Sequence, residues 1–219
     1  QLYDMRTDAP AFSRTIIPVW ENSHGLKSLL IAMTLITAMF MGCTFNSMNM
    51  ISEKEEGVAL INQILPMSMG AYILQKLALG FIGGIVSAMV TSFICIRISL
   101  WNTALLFLLV SLSAYIASLA GLFVGHVASG LMTGMVCIKF IMILFLAPPV
   151  IFYLTVPADS AVYPLSYLFP SSPAFYGLME LLNGQIEHLG LCLIILSVHG
   201  VLLTCLYFFL VTQRGTTRG

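Results

Sequence analysis

Charge is what this chain has least of. Only 8% of its 219 residues are Asp, Glu, Lys or Arg, where a soluble domain carries about 25%. Nine basic residues balance nine acidic ones, so there is no cationic face for nucleic acid and no acidic tail to hold a disordered chain in water. The five cysteines, Cys43, Cys95, Cys137, Cys192 and Cys205, lie in or beside apolar stretches with no C-x-x-C pair, so they read as small buried hydrophobes. No G-x-x-x-x-G-K-[ST] segment occurs, hence the chain has no loop of its own to cradle nucleotide phosphates. G-x-S-x-G and H-E-x-x-H are also missing, and Glu55-Glu56 is followed by Leu60 where an intramembrane Glu-Glu-x-x-x-Arg protease needs Arg. The chain therefore reads as a non-enzyme, with neither catalytic nor metal-ligating residues.

What is present is apolar length. Uncharged runs cover 28–52, 77–96, 98–138, 140–158 and 188–213, and a membrane helix needs about 20 such residues. The run 98–138 is long enough for two spans, divided at His126-Val127-Ala128-Ser129-Gly130. The expectation is an all-α integral membrane protein with five visible spans near 29–50, 73–95, 103–126, 132–154 and 189–211. Residues 1–25 carry Asp4, Arg6, Asp8, Arg14 and Glu21 without the pattern of a signal peptide, and read as a water-exposed extracytoplasmic segment. Such a segment needs a preceding span to translocate it, so a first span is expected before Gln1. Residues 26–219 then form the transmembrane domain. The positive-inside rule scarcely orients it: Lys54, Lys76, Lys139, Arg214 and Arg218 fall on one side, Arg6, Arg14, Lys27 and Arg97 on the other.

The loop 51–70 is too patterned to be passive. After Glu53-Lys54-Glu55-Glu56-Gly57, the apolar residues Val58, Ile61, Ile64 and Leu65 recur at helical spacing until Pro66 stops them, and Ser68 can cap the next span. The pattern predicts a short amphipathic helix over 53–66 with its acids at the start, where a helix dipole favours negative charge. It fits two roles, a mechanical part gripped by a soluble partner or an interfacial helix resting on lipid. A second unusual region, 157–188, holds Pro157, Pro164, Pro170 and Pro173 around an aromatic stretch. It is too apolar for a free loop and too broken for a span. Since irregular backbone at membrane depth is tolerated only against protein or a wet cavity, re-entrant outer-face elements are expected there.

Glu53-Lys54-Glu55-Glu56-Gly57, the short helix, Leu65-Pro66-Met67-Ser68 and then Gln75-Lys76-Leu77 resemble the intracellular loop of ABC type-2 export permeases. That resemblance implies a six-span bundle, of which residues 29–50 are the second span, a cytoplasmic coupling helix that docks on a separate ATPase, and outer re-entrant elements before the last span. It also implies a second permease subunit, identical or homologous, surrounding membrane lipids, and no nucleic acid partner. No cofactor is expected in this chain, with ATP and Mg bound by the partner ATPase, and the setting implied is a bacterial cell membrane. The ATPase-coupling residues would be Glu53, Glu55, Glu56, Gly57, Leu60, Ile61, Ile64 and Pro66.

Outside the loop, Asn46 and Asn49 near one end of the first visible span are candidates for a substrate path, with helix-end hydrogen bonding as the alternative. His199, mid-span, is a candidate for the same path or for a hydrogen-bonded helix contact. Lys139 is expected to snorkel to the surface. Together, His199 and Lys139 would serve an ion-coupled carrier or channel needing no ATPase, which is the alternative function; a non-transporting assembly subunit is another. Ser113, Ala117, Gly121, Gly125 and Ser129 recur every four residues, and so do Gly80 and Gly84. These rows are packing seams of the kind that let membrane helices approach closely.

Overall fold

The computed structural model describes the backbone of residues 19–57, 69–96, 100–157 and 160–216. Among the described residues there are six α-helices: α1 (Val19–Glu55), α2 (Met69–Cys95), α3 (Leu100–Val127), α4 (Leu131–Thr155), α5 (Ser171–Leu182) and α6 (Leu189–Thr216). A 3₁₀ turn, Tyr163–Leu168, precedes α5. No strand is found among the described residues. Five of the helices contain a stretch long and apolar enough to cross a bilayer: Gly25–Glu55, Gly70–Cys95, Asn102–Val127, Leu131–Thr155 and Leu189–Leu210. All-helical spanning follows from solvent chemistry, because in hydrocarbon each N–H and C=O has to be satisfied within its own segment.

The helices run alternately up and down, so the bundle has two distinct ends. The end of α1 and the starts of α2 and α4 meet at one of them, called here the charged end. The start of α6 and the segment 160–188 lie at the other, the tyrosine end. The first span is longer than its apolar run, since α1 continues through Ile51 to Glu55 before Gly57 turns the chain in a left-handed conformation (φ +73°). Helix also extends back to Val19, into the segment 1–25 expected to be a water-exposed approach.

α3 is the axis of the bundle. In its most apolar window 67% of residues are buried by protein, against 11% in α4. Its Leu106, Leu109, Val110 and Ile116 pack with Leu35, Ile36 and Met39 of α1, Phe175 and Leu178 of α5, and Leu189, Cys192 and Leu196 of α6. Lipid tails are as apolar as these side chains, so close packing and hydrogen bonds, not escape from water, hold the helices together.

The glycine rows supply that packing within the chain. A Cβ on Gly80 would stand 2.5 Å from Ser118 Oγ and 2.7 Å from Gly42 O, and one on Gly121 would stand 2.6 Å from Cys43 O. α1, α2 and α3 touch backbone to backbone here, and polar side chains bridge the contact. Asn46 Nδ2 donates to Ser118 O (2.9 Å), Ser118 Oγ donates to Leu77 O (2.8 Å), and Ser47 Oγ donates to Gly121 O (3.1 Å). Asn46, fully buried, thus ties α1 to α3, and Ser118 carries the link on to α2. In this structure it is enclosed by the close contact of α1, α2 and α3.

Candidate functional site

The charged end gathers the residues that the sequence singles out, in an arrangement that the sequence does not reveal. Three consecutive residues of α1 reach three different helices. Glu53 forms an ion pair with Lys76 of α2, whose ammonium also donates to Asn49 Oδ1, and Tyr72 Oη donates to Glu53 Oε2 at 3.2 Å. Lys76 is only 5% exposed and its ammonium lies 5.5 Å from the centre of the Tyr72 ring, so the cation is enclosed by a carboxylate, an amide oxygen and an aromatic face. Breaking such a pair leaves an uncompensated charge, at a cost of up to about 3 kcal/mol.

Lys54 turns the other way. Its ammonium donates to Gly125 O, His126 O and Ala128 O at 2.5, 3.1 and 3.0 Å, which are carbonyls of the last turn of α3 and of the residue just beyond it. Those carbonyls have no partner within their own helix, and the dipole places negative charge there. Glu55 completes the corner, accepting the N–H of Leu131, the first residue of α4, on Oε1 at 2.7 Å. The N-cap of α4 is Gly130, which has no side chain to cap it. A carboxylate from α1 stands in for that cap, at the end where the dipole favours an anion.

Glu53 and Glu55 therefore do not open a new helix. They close α1, where its own dipole is unfavourable to them, and they are compensated by Lys76 and by the start of α4. Glu56 lies in the turn beyond, its Oε1 accepting from Ser52 Oγ at 2.8 Å, and Gly57 ends the helix. Leu60, Ile61, Ile64 and Pro66 lie outside the described residues, as does the short helix expected around them. Asn49 faces a groove of about 700 Å³ between α1 and α2, lined by Phe45, Met48, Ser52, Leu79, Ile82 and Gly83 and closed by Leu131 of α4. Of the two asparagines, Asn49 is the one beside open space.

His199 is not part of this assembly. It lies ten residues into α6, about 15 Å along the helix. Its Nδ1 is 2.9 Å from Ile195 O and its Nε2 is 3.3 Å from Leu168 O, so the ring ties α6 to the end of the 3₁₀ turn. The turn thus reaches to mid-length of α6, and α5, buried along nearly its whole length, climbs back from there. Lys139 lies on the exposed face of α4, eight residues past its start, and no hydrogen bond or ion pair joins it to His199 among the described residues.

Sequence reasoning missed Lys76 as the partner of Glu53 and Lys54 as a cap. The one available signal was a lysine inside a span, Lys76, about two turns into the helix that follows an acid-rich span end. Of the comparisons with known proteins, one matches: a family model described as ABC-2 family transporter protein covers residues 10–209. No curated protein and no solved structure matches the chain.

Proposed function

Because this chain belongs to the ABC-2 transporter family and is a multi-pass transmembrane permease of an ABC transporter, we propose that it works as an exporter subunit driven by a separate ATPase. In this reading the segment 53–66 faces the cytoplasm of a bacterial cell and is the part that the ATPase grips. ATP-driven closure of two ATPases pushes the segment, tilts the spans on either side of it, and switches a cavity between two permease subunits from inward to outward access. Leu60, Ile61 and Ile64 fill the ATPase groove, Pro66 ends the helix, and Glu56 offers it charge.

The observation that carries this reading is the family match over nearly the whole described chain, together with a charged loop joined directly to two spans. Residues 1–219 hold no phosphate-binding loop, which supports hydrolysis outside this segment. The test is to extract the tagged full-length protein in mild detergent and identify stoichiometric partners by mass spectrometry. Recovery of a Walker-motif ATPase, and its loss in the Ile61→Asp/Ile64→Asp variant, is the expected result. Repeated purification without an ATPase would overturn the proposal in favour of an ion-coupled carrier.

A further inference from the structure

The corner between α3 and α4 is capped from outside itself. Gly130 has no side-chain cap to offer α4, and no residue in 128–130 adopts the left-handed conformation that commonly folds back the last carbonyls of a helix. Both caps come from α1, with the signs the dipoles require: Lys54 on the negative end of α3 and Glu55 on the positive end of α4. One residue earlier, Glu53 holds α2 through Lys76. Side chains leave a helix about 100° apart, so three in succession sweep roughly 200° of its circumference, which is how one turn reaches three neighbours. A cap carried by another helix is also a joint. Displacing the last turn of α1 has to drag α2, α3 and α4 along or break charge-assisted hydrogen bonds to each of them.

We propose that Glu53, Lys54 and Glu55 are positioning residues that lock α1, α2 and the α3–α4 corner into one body, so that a push on the segment after Gly57 moves all four helices together. This rests on the coupling reading above, and it assigns these three residues a role apart from contact with the ATPase. The two halves of the lock differ in symmetry. Exchanging Glu53 and Lys76 keeps opposite charges facing each other and gives up only the contacts of Asn49 and Tyr72. Lys54 and Glu55 face fixed dipoles, so exchanging them places like against like at both helix ends.

The test uses the full-length permease with its co-purified ATPase in nanodiscs. Nitroxide labels go on Leu74→Cys of α2 and Met132→Cys of α4, which are 65% and 77% exposed, with the exposed Cys205 replaced by Ser. Doubly labelled subunits are diluted with unlabelled ones, and the expected wild-type result is a separation between positions 74 and 132 of one subunit that is the same without nucleotide and with ATP–vanadate. Glu53→Lys/Lys76→Glu should keep that behaviour. Lys54→Glu/Glu55→Lys, with identical composition, should retain the ATPase but lose the fixed separation, which then changes with nucleotide. Lys54→Met provides the same reading should the exchanged variant fail to fold. A wild-type separation that shifts with nucleotide would overturn the proposal. So would a Lys54 variant that is merely less heat-stable while its separation stays constant, since the caps would then stabilise the fold and nothing more. Absence of any ATPase from the wild-type preparation would sink the coupling reading and the lock with it, whereas an ATPase present with unaffected variants would sink the lock alone.

Discussion

At the charged end of the bundle, Glu53, Lys54, Glu55 and Lys76 are matched to one another and to two helix termini within one turn of α1. At the opposite end Tyr163, Tyr167 and Tyr176 pack ring on ring instead, Tyr163 stacked on Tyr176 at 5.2 Å between centroids and Tyr167 edge-on to Tyr176 at 5.5 Å. The first arrangement is directional and depends on the sign of each charge. The second depends on shape, and it gives up contact gradually as rings slide. Under the coupling proposed above, the charged end receives a push, and bonds that hold or break pass it to several spans. The tyrosine end packs around the buried α5, where surfaces that fit suffice.

The largest expected effect is at the charged end. Lys76→Met leaves the half-buried Glu53 without a counter-charge and should lower stability by up to about 3 kcal/mol, read as unfolding of the detergent-solubilised protein on heating. Adding Glu53→Gln should recover most of that loss, because the cost lies in the orphaned charge. Next, Lys54→Met removes the cation from the last turn of α3 and should cost up to about 2 kcal/mol in the same assay. At the tyrosine end, Tyr176→Leu keeps apolar bulk but removes the stacked pair, for a loss of about 0.5–1.5 kcal/mol. If Tyr176→Leu proved the more damaging of these last two, the contrast between the ends would fail. The smallest effect belongs to His188→Ala. His188 Nδ1 meets Glu180 Oε1 at 3.1 Å, but its side chain is 67% exposed, and such pairs are worth about 0–1 kcal/mol. The enclosed Glu53–Lys76 pair should be little screened by added salt.

Much of the architecture was legible in the sequence. Five runs free of charge are enough to count five spans, because bilayer thickness sets the length and lipid forbids anything but helix. The proline- and tyrosine-rich stretch before α6 could be read as neither loop nor span, and it forms the 3₁₀ turn and the buried α5. The charged cluster at 53–57 was legible as important, while its partners were not. Lys54 binds carbonyls 71–74 positions away, and Glu55 caps a helix that begins 76 positions on. The partner of Asn46 was equally hidden. An amide near a span end suits a substrate path, and only the approach of Ser118, 72 positions later, makes it a bridge between helices.

The sequence by itself determined how many helices cross and roughly where each begins and ends, since a membrane helix satisfies its backbone within its own length. It also carried the family, through a loop whose pattern is local. Tertiary structure alone decided which charge answers which, and which small residues meet. Those choices depend on how each helix is turned about its axis and which helix stands beside it. In lipid no hydrophobic force sorts helix faces, so neighbour and rotation are settled by contacts between residues far apart in the chain: Gly42 against Gly80, Asn46 against Ser118, Lys54 against the end of α3.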